Sequence, residues 1–326
     1  MNTETPEQLH QQFDNFRNDV THLEQEIGQV IAGQRDTVRS VIIGLLAGGH
    51  ILLEGVPGLG KTLLVKTLAE AVSGTFNRIQ FTPDLMPADV TGTNILGIAA
   101  DGSRRFEFQN GPVFANIVLA DEINRATPKT QSALLEAMQE HSVTVSGITH
   151  KLAGLFFVLA TQNPLEMEGT YPLPEAQLDR FFAKVLVPFP TAKELVTILD
   201  RTTATERYSV QPVLSTEKIL EYGGLSREIP VAEEVKQYAV DLCLATHPEN
   251  DKASAFVKQY VRFGVSPRGV QALLLGAKIN AVLDSRYNVS REDIKALVPM
   301  VFRHRIILNF EGQAESVLPD DVIRKL

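Results

Sequence analysis

The sequence predicts an α/β protein in which a parallel, Rossmann-like α/β/α core precedes a smaller all-α domain. From residue 51, short and wholly apolar runs alternate with helical stretches, a pattern typical of parallel strands that helices cover on both faces. After Pro188 and Pro190 the strand signals fade and helical periodicity dominates. We therefore predict two domains, at residues 1–188 and 189–326.

Periodicity predicts the individual elements. Apolar residues recur in steps of three and four from Leu9 to Val30, so this segment is predicted to be one long amphipathic helix packed on the core. The predicted strands are Ile51–Leu53, Arg78–Phe81, Ile117–Ala120, Leu155–Ala160 and Phe182–Val187. The predicted helices are Lys61–Val72, Pro128–Gln139, Ala192–Arg201, Ser215–Tyr222, Val231–Leu244, Pro267–Leu283 and Arg291–Arg303.

Two segments of alternating apolar and polar residues interrupt this rhythm. The segment 92–108 has a turn signal at Asp101-Gly102, and the segment 142–152 has one at Ser146-Gly147. Alternation around such a turn is typical of two antiparallel strands. Both segments are predicted to be β-hairpins inserted into the core.

Composition and charge limit the class of protein. The chain has 326 residues, 44% hydrophobic and 21% charged, which is the balance of a soluble globular protein. Its 31 Lys and Arg residues against 39 Asp and Glu give a net charge of −8, which disfavours nucleic acid as a partner, although a local basic patch is compatible with it. The single cysteine, Cys243, excludes an internal disulfide and favours a reducing compartment.

The N-terminal segment and the apolar runs bear on localisation. The first ten residues are polar and acidic and lack the pattern of a signal peptide. The longest apolar run, at residues 41–49, is broken by His50 and is too short for a membrane span. We expect a cytoplasmic protein without a membrane span.

The strongest chemical signal is a glycine-rich loop between a predicted strand and a predicted helix. Residues 55–62 read GVPGLGKT and satisfy the pattern G-x-x-x-x-G-K-[ST]. Glycines let backbone N–H groups converge on phosphate oxygens, and the N-terminus of the helix favours negative charge. We expect Lys61 to bind the β- and γ-phosphates of ATP and Thr62 to bind Mg²⁺. The predicted nucleotide-binding residues here are Val56, Pro57, Gly58, Leu59, Gly60, Lys61, Thr62 and Leu63.

Two later strand ends supply acidic and amide side chains. One predicted strand ends in Asp121-Glu122, in which Asp121 is predicted to hold Mg²⁺ and Glu122 to polarise the attacking water. The next ends near Asn163, whose amide is a candidate for orienting that water. Alone, an Asp-Glu pair is often a solvated loop, and Asn-Pro is often an ordinary turn. In one parallel sheet with the glycine-rich loop, these residues favour catalysis.

The order of these motifs resembles that of AAA+ ATPases and, more narrowly, of the MoxR family. The resemblance extends from about Ile27 to the C-terminus. Its specific markers are QFTPDLMPAD at 80–89, FEF at 106–108 with GPVF at 111–114, DEINRA at 121–126 and YPLPEAQLDRF at 171–181. It implies an AAA+ core followed by a helical lid domain.

The family resemblance implies roles for further residues. Asn163 matches sensor 1, Arg180 matches the arginine finger that acts on the neighbouring subunit's ATP, and Arg268 matches sensor 2 of the lid. The segment around Gly33 and Gln34 resembles the one that lies along adenine. Taken without the family, Arg180 is more simply a surface ion pair and Arg268 a surface arginine. The nucleotide is expected between core and lid.

The function implied by the resemblance is ATP hydrolysis coupled to chaperone-like remodelling or maturation of a protein partner. A finger supplied by a neighbour implies a homo-oligomer, expected to be a hexameric ring. The partner implied is a client protein, often one with a von Willebrand factor A domain. Two alternatives remain at this point: a nucleic-acid motor, which the net charge of −8 disfavours, and a slowly hydrolysing, nucleotide-gated scaffold.

Overall fold

A computed structural model describes residues 6–98, 104–164, 169–203 and 208–326. Its strands are β1 Ile51–Glu54, β2 Phe76–Gln80, β3 Gly92–Ile98, β4 Arg104–Asn110, β5 Ile117–Asp121, β6 Ser142–Val145, β7 Ile148–Lys151, β8 Phe157–Gln162, β9 Ala183–Leu186, β10 Val261–Phe263 and β11 Ile307–Leu308. Its helices are α1 Pro6–Val30, α2 Arg35–Leu46, α3 Lys61–Ala71, α4 Pro87–Thr91, α5 Pro128–Glu140, α6 Glu175–Leu178, α7 Ala192–Thr203, α8 Thr216–Arg227, α9 Glu233–Ala245, α10 Ala255–Tyr260, α11 Pro267–Leu283, α12 Arg291–Phe302, α13 Phe310–Ala314 and α14 Pro319–Ile323.

The central feature is a five-stranded parallel sheet with the strand order β2-β5-β8-β1-β9. The register places Ile51 of β1 beside Leu159 of β8 and Ala183 of β9. Because the strands are parallel, all their C-terminal ends meet at one edge, here called the carboxyl edge, and their starts meet at the amino edge. In open parallel sheets ligands bind outside the carboxyl edge.

The two faces of the sheet are both buried, which explains the apolar strands. Leu53 and Leu119 belong to a core that includes α1, α2 and α3, whereas Val118 and Val158 pack with α5 on the other face. A strand with both faces covered shows no apolar–polar alternation. The predicted fold class, a parallel α/β/α core followed by helices, is confirmed.

The N-terminal helix α1 packs as its apolar stripe predicts. Its residues from Phe13 to Ile27 on that stripe are almost fully buried, and α1 contacts both α3 and α11. The ring of Phe16 stacks on that of Tyr222 in α8, with centroids 4.6 Å apart. Helix α1 therefore joins the sheet to the C-terminal helices.

The two predicted hairpins are present as the antiparallel pairs β3–β4 and β6–β7. Ser146 and Gly147 both have positive φ, at 51° and 81°, as the two central residues of a type I′ turn require. The predicted turn at Asp101-Gly102 lies outside the described residues.

The sequence patterns misplaced or missed several elements. Strand β8 begins at Phe157 rather than Leu155 and includes Thr161. Helix α2 was not predicted, because eight of its twelve residues are buried and its apolar residues do not form a narrow stripe. Among the described residues, no helix combines the length and the apolar character that a membrane span needs.

Candidate nucleotide site

The glycine-rich loop lies at the carboxyl edge, between β1 and α3. Gly58 and Gly60 have φ values of +84° and +74°, which glycine adopts without strain. The N–H of Gly55 donates to the carbonyl of Gln162, 3.4 Å away, and so ties the loop to the end of β8. The loop therefore begins beside the strand end that precedes Asn163.

The side chain of Lys61 lies inside this loop. Its Nζ donates to the carbonyls of Gly55 and, at 3.3 Å, of Val56. Burial lowers the pKa of Lys61, while the carboxylates of Asp121, Glu122 and Glu54 oppose this shift. The carboxylates of Asp121 and Glu122 therefore lie near enough to Lys61 to act on its charge.

The two acidic residues at the end of β5 are fixed by one hydroxyl. Thr161 Oγ1 donates to Asp121 Oδ1 at 2.6 Å and accepts from the backbone N–H of Glu122 at 2.8 Å. Glu122 has a φ of 55°, so the chain turns at once after the strand and separates the two carboxylates. Asp121 is buried, whereas the side chain of Glu122 is 24% exposed. Asp121 is thus held rigidly and Glu122 faces the open edge.

Arg78 and Gln80 of β2 also belong to this cluster, although no sequence motif gave them a role. Arg78 Nη2 and Nε donate to Asp121 Oδ2 at 2.6 and 3.1 Å. Gln80 Nε2 donates to Glu122 Oε2 at 2.8 Å. Arg125 Nη1 donates to the same oxygen at 3.0 Å, although it lies in a loop position that is often simply exposed. The signal in the sequence was the spacing of Arg78 and Gln80, two residues apart and therefore on one side of a strand.

Asn163 follows β8, the strand that lies between β1 and β5 in the sheet. Its residue exposure is 7%, so Asn163 is buried, and its place after β8 puts it between the segments that follow β1 and β5. The topology therefore brings Lys61, Asp121, Glu122 and Asn163 to one edge of the sheet, as the sequence patterns predict.

A cavity of about 350 Å³ adjoins the loop. That is within the range of small-ligand sites. Its walls are mostly apolar and come from the end of α1, the loop and α7. The lining residues are Val30, Ile31, Ala32, Gln34, Gly58, Leu59, Gly60, Leu63, Phe189, Pro190, Leu195, Ile198, Arg201 and Thr202. Helix α7 belongs to the predicted second domain, 189–326, but the sequence motifs assigned none of its residues to the site.

Gly33 and Gln34 lie in the turn between α1 and α2, next to both the cavity and α7. Gln34 Nε2 donates to the carbonyl of Leu59 at 3.1 Å. A Cβ at Gly33 would lie 2.1 Å from Glu194 Oε1. Hydrogen bonds from Thr191 and from the backbone of Gln34 lower the pKa of Glu194, which therefore stays a carboxylate. Gly33 has a φ of +69°, which other residues adopt only with strain, and any side chain at this position would also have to displace Glu194.

The two predicted arginines lie elsewhere. Phe182, two residues after Arg180, donates its N–H to the carbonyl of His50 at 2.7 Å, just before β1 begins. Arg180 is therefore at the amino edge, separated from the loop by the length of β1, about 13 Å for its four residues. Its Nη1 donates to the carbonyl of Leu135 at 3.0 Å.

Arg180 was expected to act on a neighbouring subunit, whereas Arg268 was expected to face a nucleotide between core and lid and does not line the cavity beside the loop. Its Nη1 lies 3.8 Å from Asp179 Oδ2, beside Arg180. The cavity is lined by α7 but by no residue of α8 to α14. Helical periodicity does not reveal the side of the core on which the helices pack, so sequence alone did not place Arg268.

Comparison with known proteins agrees with this architecture. Residues 50–183 match the model of the "ATPase family associated with various cellular activities (AAA)", and residues 253–326 match an "AAA lid domain". The predicted boundary at residue 188 falls between these matches and stays a prediction.

Relatives extend the similarity to almost the whole chain. The chain is 42% identical to "Chaperone MoxR1" of Mycobacterium tuberculosis, over 92% of this chain and 79% of that protein. It is 32% identical to "Protein MoxR" of Paracoccus denitrificans, over 91% of both. A crystal structure of a protein assigned as an ATPase, from Cytophaga hutchinsonii, superposes with a TM-score of 0.90 at 41% identity, covering 97% and 95% of the two chains.

A parallel core with a glycine-rich phosphate loop, an acidic strand end and a helical lid defines an ATPase of the AAA+ class. Within that class, the similarity to the MoxR proteins covers most of the chain. The chain belongs to the MoxR family of AAA+ ATPases.

The contact between Gly33 and Glu194 gives a testable prediction about nucleotide binding. Gly33→Ala is expected to displace Glu194 and the start of α7, and to weaken ATP binding by about tenfold, the effect of some 1.4 kcal/mol. Gly48→Ala is the matched control, because Gly48 has the same φ of +69° but open space around a Cβ. Titration with a fluorescent ATP analogue measures both. Equal affinities in the two variants would show that the Glu194 contact is irrelevant to the nucleotide.

Proposed function

We propose that this protein hydrolyses ATP at the bond between the β- and γ-phosphates. In this proposal Lys61 binds the β- and γ-phosphates, Asn163 orients the attacking water and Glu122 takes its proton as general base. The convergence of these side chains at the carboxyl edge supports the proposal. Adenine occupies the apolar cavity beside Gln34 and Leu63.

The residues present fit a Mg²⁺ ion. Thr62 and Asp121 offer oxygen ligands, which Mg²⁺ prefers, and two protein ligands suffice when phosphates and waters complete the octahedron. Among the described residues, no group of three or more His, Cys, Asp or Glu could hold a metal ion, which is consistent with such a sparse protein contribution. The ion would neutralise charge on the phosphates. Arg78 donates to Asp121 Oδ2, so a metal ion bound by that oxygen would share it with the arginine or displace the arginine.

Glu122 is oriented for base chemistry by two donors on one of its oxygens. Gln80 and Arg125 both donate to Oε2. These two donors hold the carboxylate at the open edge. In the proposed mechanism, the attacking water gives its proton to Oε1, because Gln80 and Arg125 both bind Oε2.

The observation that carries the proposal of a ring is the separation of two particular arginines, Arg180 and Arg268, from the loop. Arg180 and Arg268 both lie by Asp179 at the amino edge, about one strand length from Lys61. Phosphoryl transfer is accelerated by an arginine at the transferring phosphate. We propose that a neighbouring subunit supplies Arg180, and Arg268 beside it, in a homo-oligomeric ring that is hexameric.

Dilution tests this arrangement. If Arg180 acts on a neighbour, ATPase activity per subunit is expected to fall as the protein is diluted below its assembly range, and to fall in parallel with the oligomer fraction. Analytical ultracentrifugation at the same concentrations measures that fraction. Constant activity per subunit across the monomer range would overturn the proposed trans arrangement.

We propose that the output of the cycle is remodelling of a protein client. Related proteins carry the names "Chaperone MoxR1" and "Protein MoxR". On the β3–β4 hairpin, Leu96 and Phe106 are cross-strand partners and are 54% and 75% exposed. Such an exposed apolar pair suits contact with a protein more than with a nucleic acid, as does the net charge of −8. A client with a von Willebrand factor A domain is one candidate.

A further inference from the structure

A single carboxylate at the amino edge connects the arginine finger to the lid. Asp179 immediately precedes Arg180 in the chain. Its Oδ1 accepts from Arg305 Nε at 2.8 Å and from Ser266 Oγ at 2.7 Å, while Oδ2 faces Arg268. Ser266, Arg268 and Arg305 all come from the C-terminal helical part. Three lid residues therefore converge on the residue next to the finger.

Arg305 holds the backbone on both sides of Arg180. Its side chain is only 2% exposed, and it lies directly after α12. Besides Asp179 Oδ1, it donates to the carbonyls of Asp179 at 3.3 Å, Phe181 at 2.6 Å, Phe182 at 3.2 Å and Val301. A guanidinium has five N–H donors, so all of them are used. This geometry fixes the positions of the main chain before and after the finger.

The neighbourhood of Arg305 is built to admit this side chain. A Cβ at Gly269, in the first turn of α11, would lie 2.9 Å from Arg305 Cδ. The hydroxyl of Ser266, which stands at the helix N-cap, donates to Asp179 instead of capping its helix. His304 adds a further bond to the carbonyl of Phe181 at 3.1 Å. Burial lowers the pKa of Arg305, and the Asp179 carboxylate opposes this shift.

We propose that Asp179 and Arg305 are positioning residues that lock the finger Arg180 to the lid, so that finger and lid move as one unit. The inference rests on the proposed trans role of Arg180. The lid carries Arg268, whose guanidinium shares Asp179 with Arg305, so both cations are presented to the neighbouring site in a fixed relation. A shift of the lid would change the presentation of both arginines at once.

Rings assembled from two kinds of subunit separate the effect of Arg180 on a neighbouring site from ATP hydrolysis by the subunit that carries Arg180. Acceptor subunits carry Arg180→Ala and keep their own loop and acids. Donor subunits carry Glu122→Gln, so they bind ATP without turning it over, and keep Arg180. Mixing donors and acceptors is expected to restore ATPase activity to acceptor sites. If these reference donors, which have an unaltered finger segment, fail to restore activity, the proposed trans role itself is wrong.

The proposal is tested by adding Asp179→Asn to the donor. This near-isosteric change removes the charge that holds Arg305 and Arg268. It is expected to reduce the restored activity by about 10- to 100-fold, the effect of a finger misplaced by roughly 1 Å. Donor ATP affinity and incorporation into rings, measured by titration and ultracentrifugation, are expected to stay unchanged. Arg305→Lys, which keeps the charge but loses most of the donors, is expected to act in the same direction.

The matched control is Asp320→Asn in the same donor. Asp320 accepts two hydrogen bonds from Arg303, at 3.0 and 2.9 Å, in a similar ion pair. Arg303 is close to Arg305 in the chain, but its partner is Asp320 and not Asp179. This donor is expected to restore full activity. Equal restoration by the Asp179 and Asp320 donors would overturn the proposal. Failure of the Asp179→Asn donor to join rings would also overturn it, because the residue would then act in assembly rather than in positioning.

Discussion

Replacement of Glu122 by Gln is expected to abolish ATP turnover while leaving ATP binding intact. An amide cannot accept the proton of the attacking water, and loss of a general base lowers rates by about 10² to 10⁴. The backbone N–H of Glu122 keeps its bond to Thr161, and the new amide oxygen can still accept from Arg125, so the turn after β5 is preserved. Phosphate release and equilibrium titration measure turnover and affinity separately.

The control for this variant is Glu70→Gln. Glu70 lies on the exposed face of α3 and forms an ion pair with Lys66 at 3.7 Å. It does not belong to the acidic cluster around Asp121 and Glu122. It is expected to have normal turnover. Loss of ATP binding by the Glu122 variant would instead show that this residue is structural. If the unaltered protein hydrolysed ATP no faster than its oligomer dissociates, the nucleotide-gated scaffold would be favoured.

The same Glu122→Gln variant is the means to identify a client. Held with bound ATP, it is expected to retain a protein partner that cycles off the unaltered ring. A second variant with Lys61→Ala added cannot bind the nucleotide phosphates and serves as the background. DNA-stimulated, salt-sensitive ATPase activity would favour the nucleic-acid motor over a protein client.

Replacement of Arg180 by Ala is expected to lower turnover by about 10³, the scale of an arginine finger. Its guanidinium lies at the amino edge, where it donates to the carbonyl of Leu135, and Arg180 does not line the cavity beside the loop. Loss of the side chain is therefore expected to leave the subunit's own cavity intact. ATP affinity is therefore expected to stay within about twofold. Steady-state ATPase assays at a concentration above the assembly range measure the effect.

Arg324→Ala is the control for a charge change. Arg324 lies at the end of α14 with a 71% exposed side chain that pairs only locally with Asp321. It is expected to hydrolyse ATP normally, because surface ion pairs contribute little. If Arg180→Ala were as active as this control, Arg180 would be a surface residue, the simpler interpretation that its sequence context allows.

The sequence alone determined the chemistry of the carboxyl edge. The pattern of residues 55–62 requires a strand before it and a helix after it, and both are present. Parallel topology then forces Asp121 and Asn163 to the same edge, because every strand of the sheet ends there. Apolar strands, the spacing of glycines and acids at strand ends are local features of the sequence. They can therefore be predicted without knowledge of the tertiary structure.

Only the tertiary structure decided which side chains assist these residues. Arg78 and Gln80 come from β2 and lie 43 and 42 residues before Asp121 and Glu122, but β2 is adjacent to β5 in the sheet. Thr161 became a partner of both acids because the register pairs Ala120 of β5 with Ala160 of β8, which places Thr161 beside Asp121. Strand register and order depend on packing across the whole core, which local periodicity does not report.

The helices of the lid could be predicted from the sequence, but their placement on the core could not. The sequence predicts helices at 267–283 and 291–303, and the structure has them with nearly these bounds. It does not determine that their contacts bring Arg268 and Arg305 to Asp179 at the amino edge instead of to the nucleotide cavity. Helical periodicity defines the buried face of each helix, but the choice among surfaces that could cover that face is made by side-chain packing and by buried pairs such as Arg305 with Asp179.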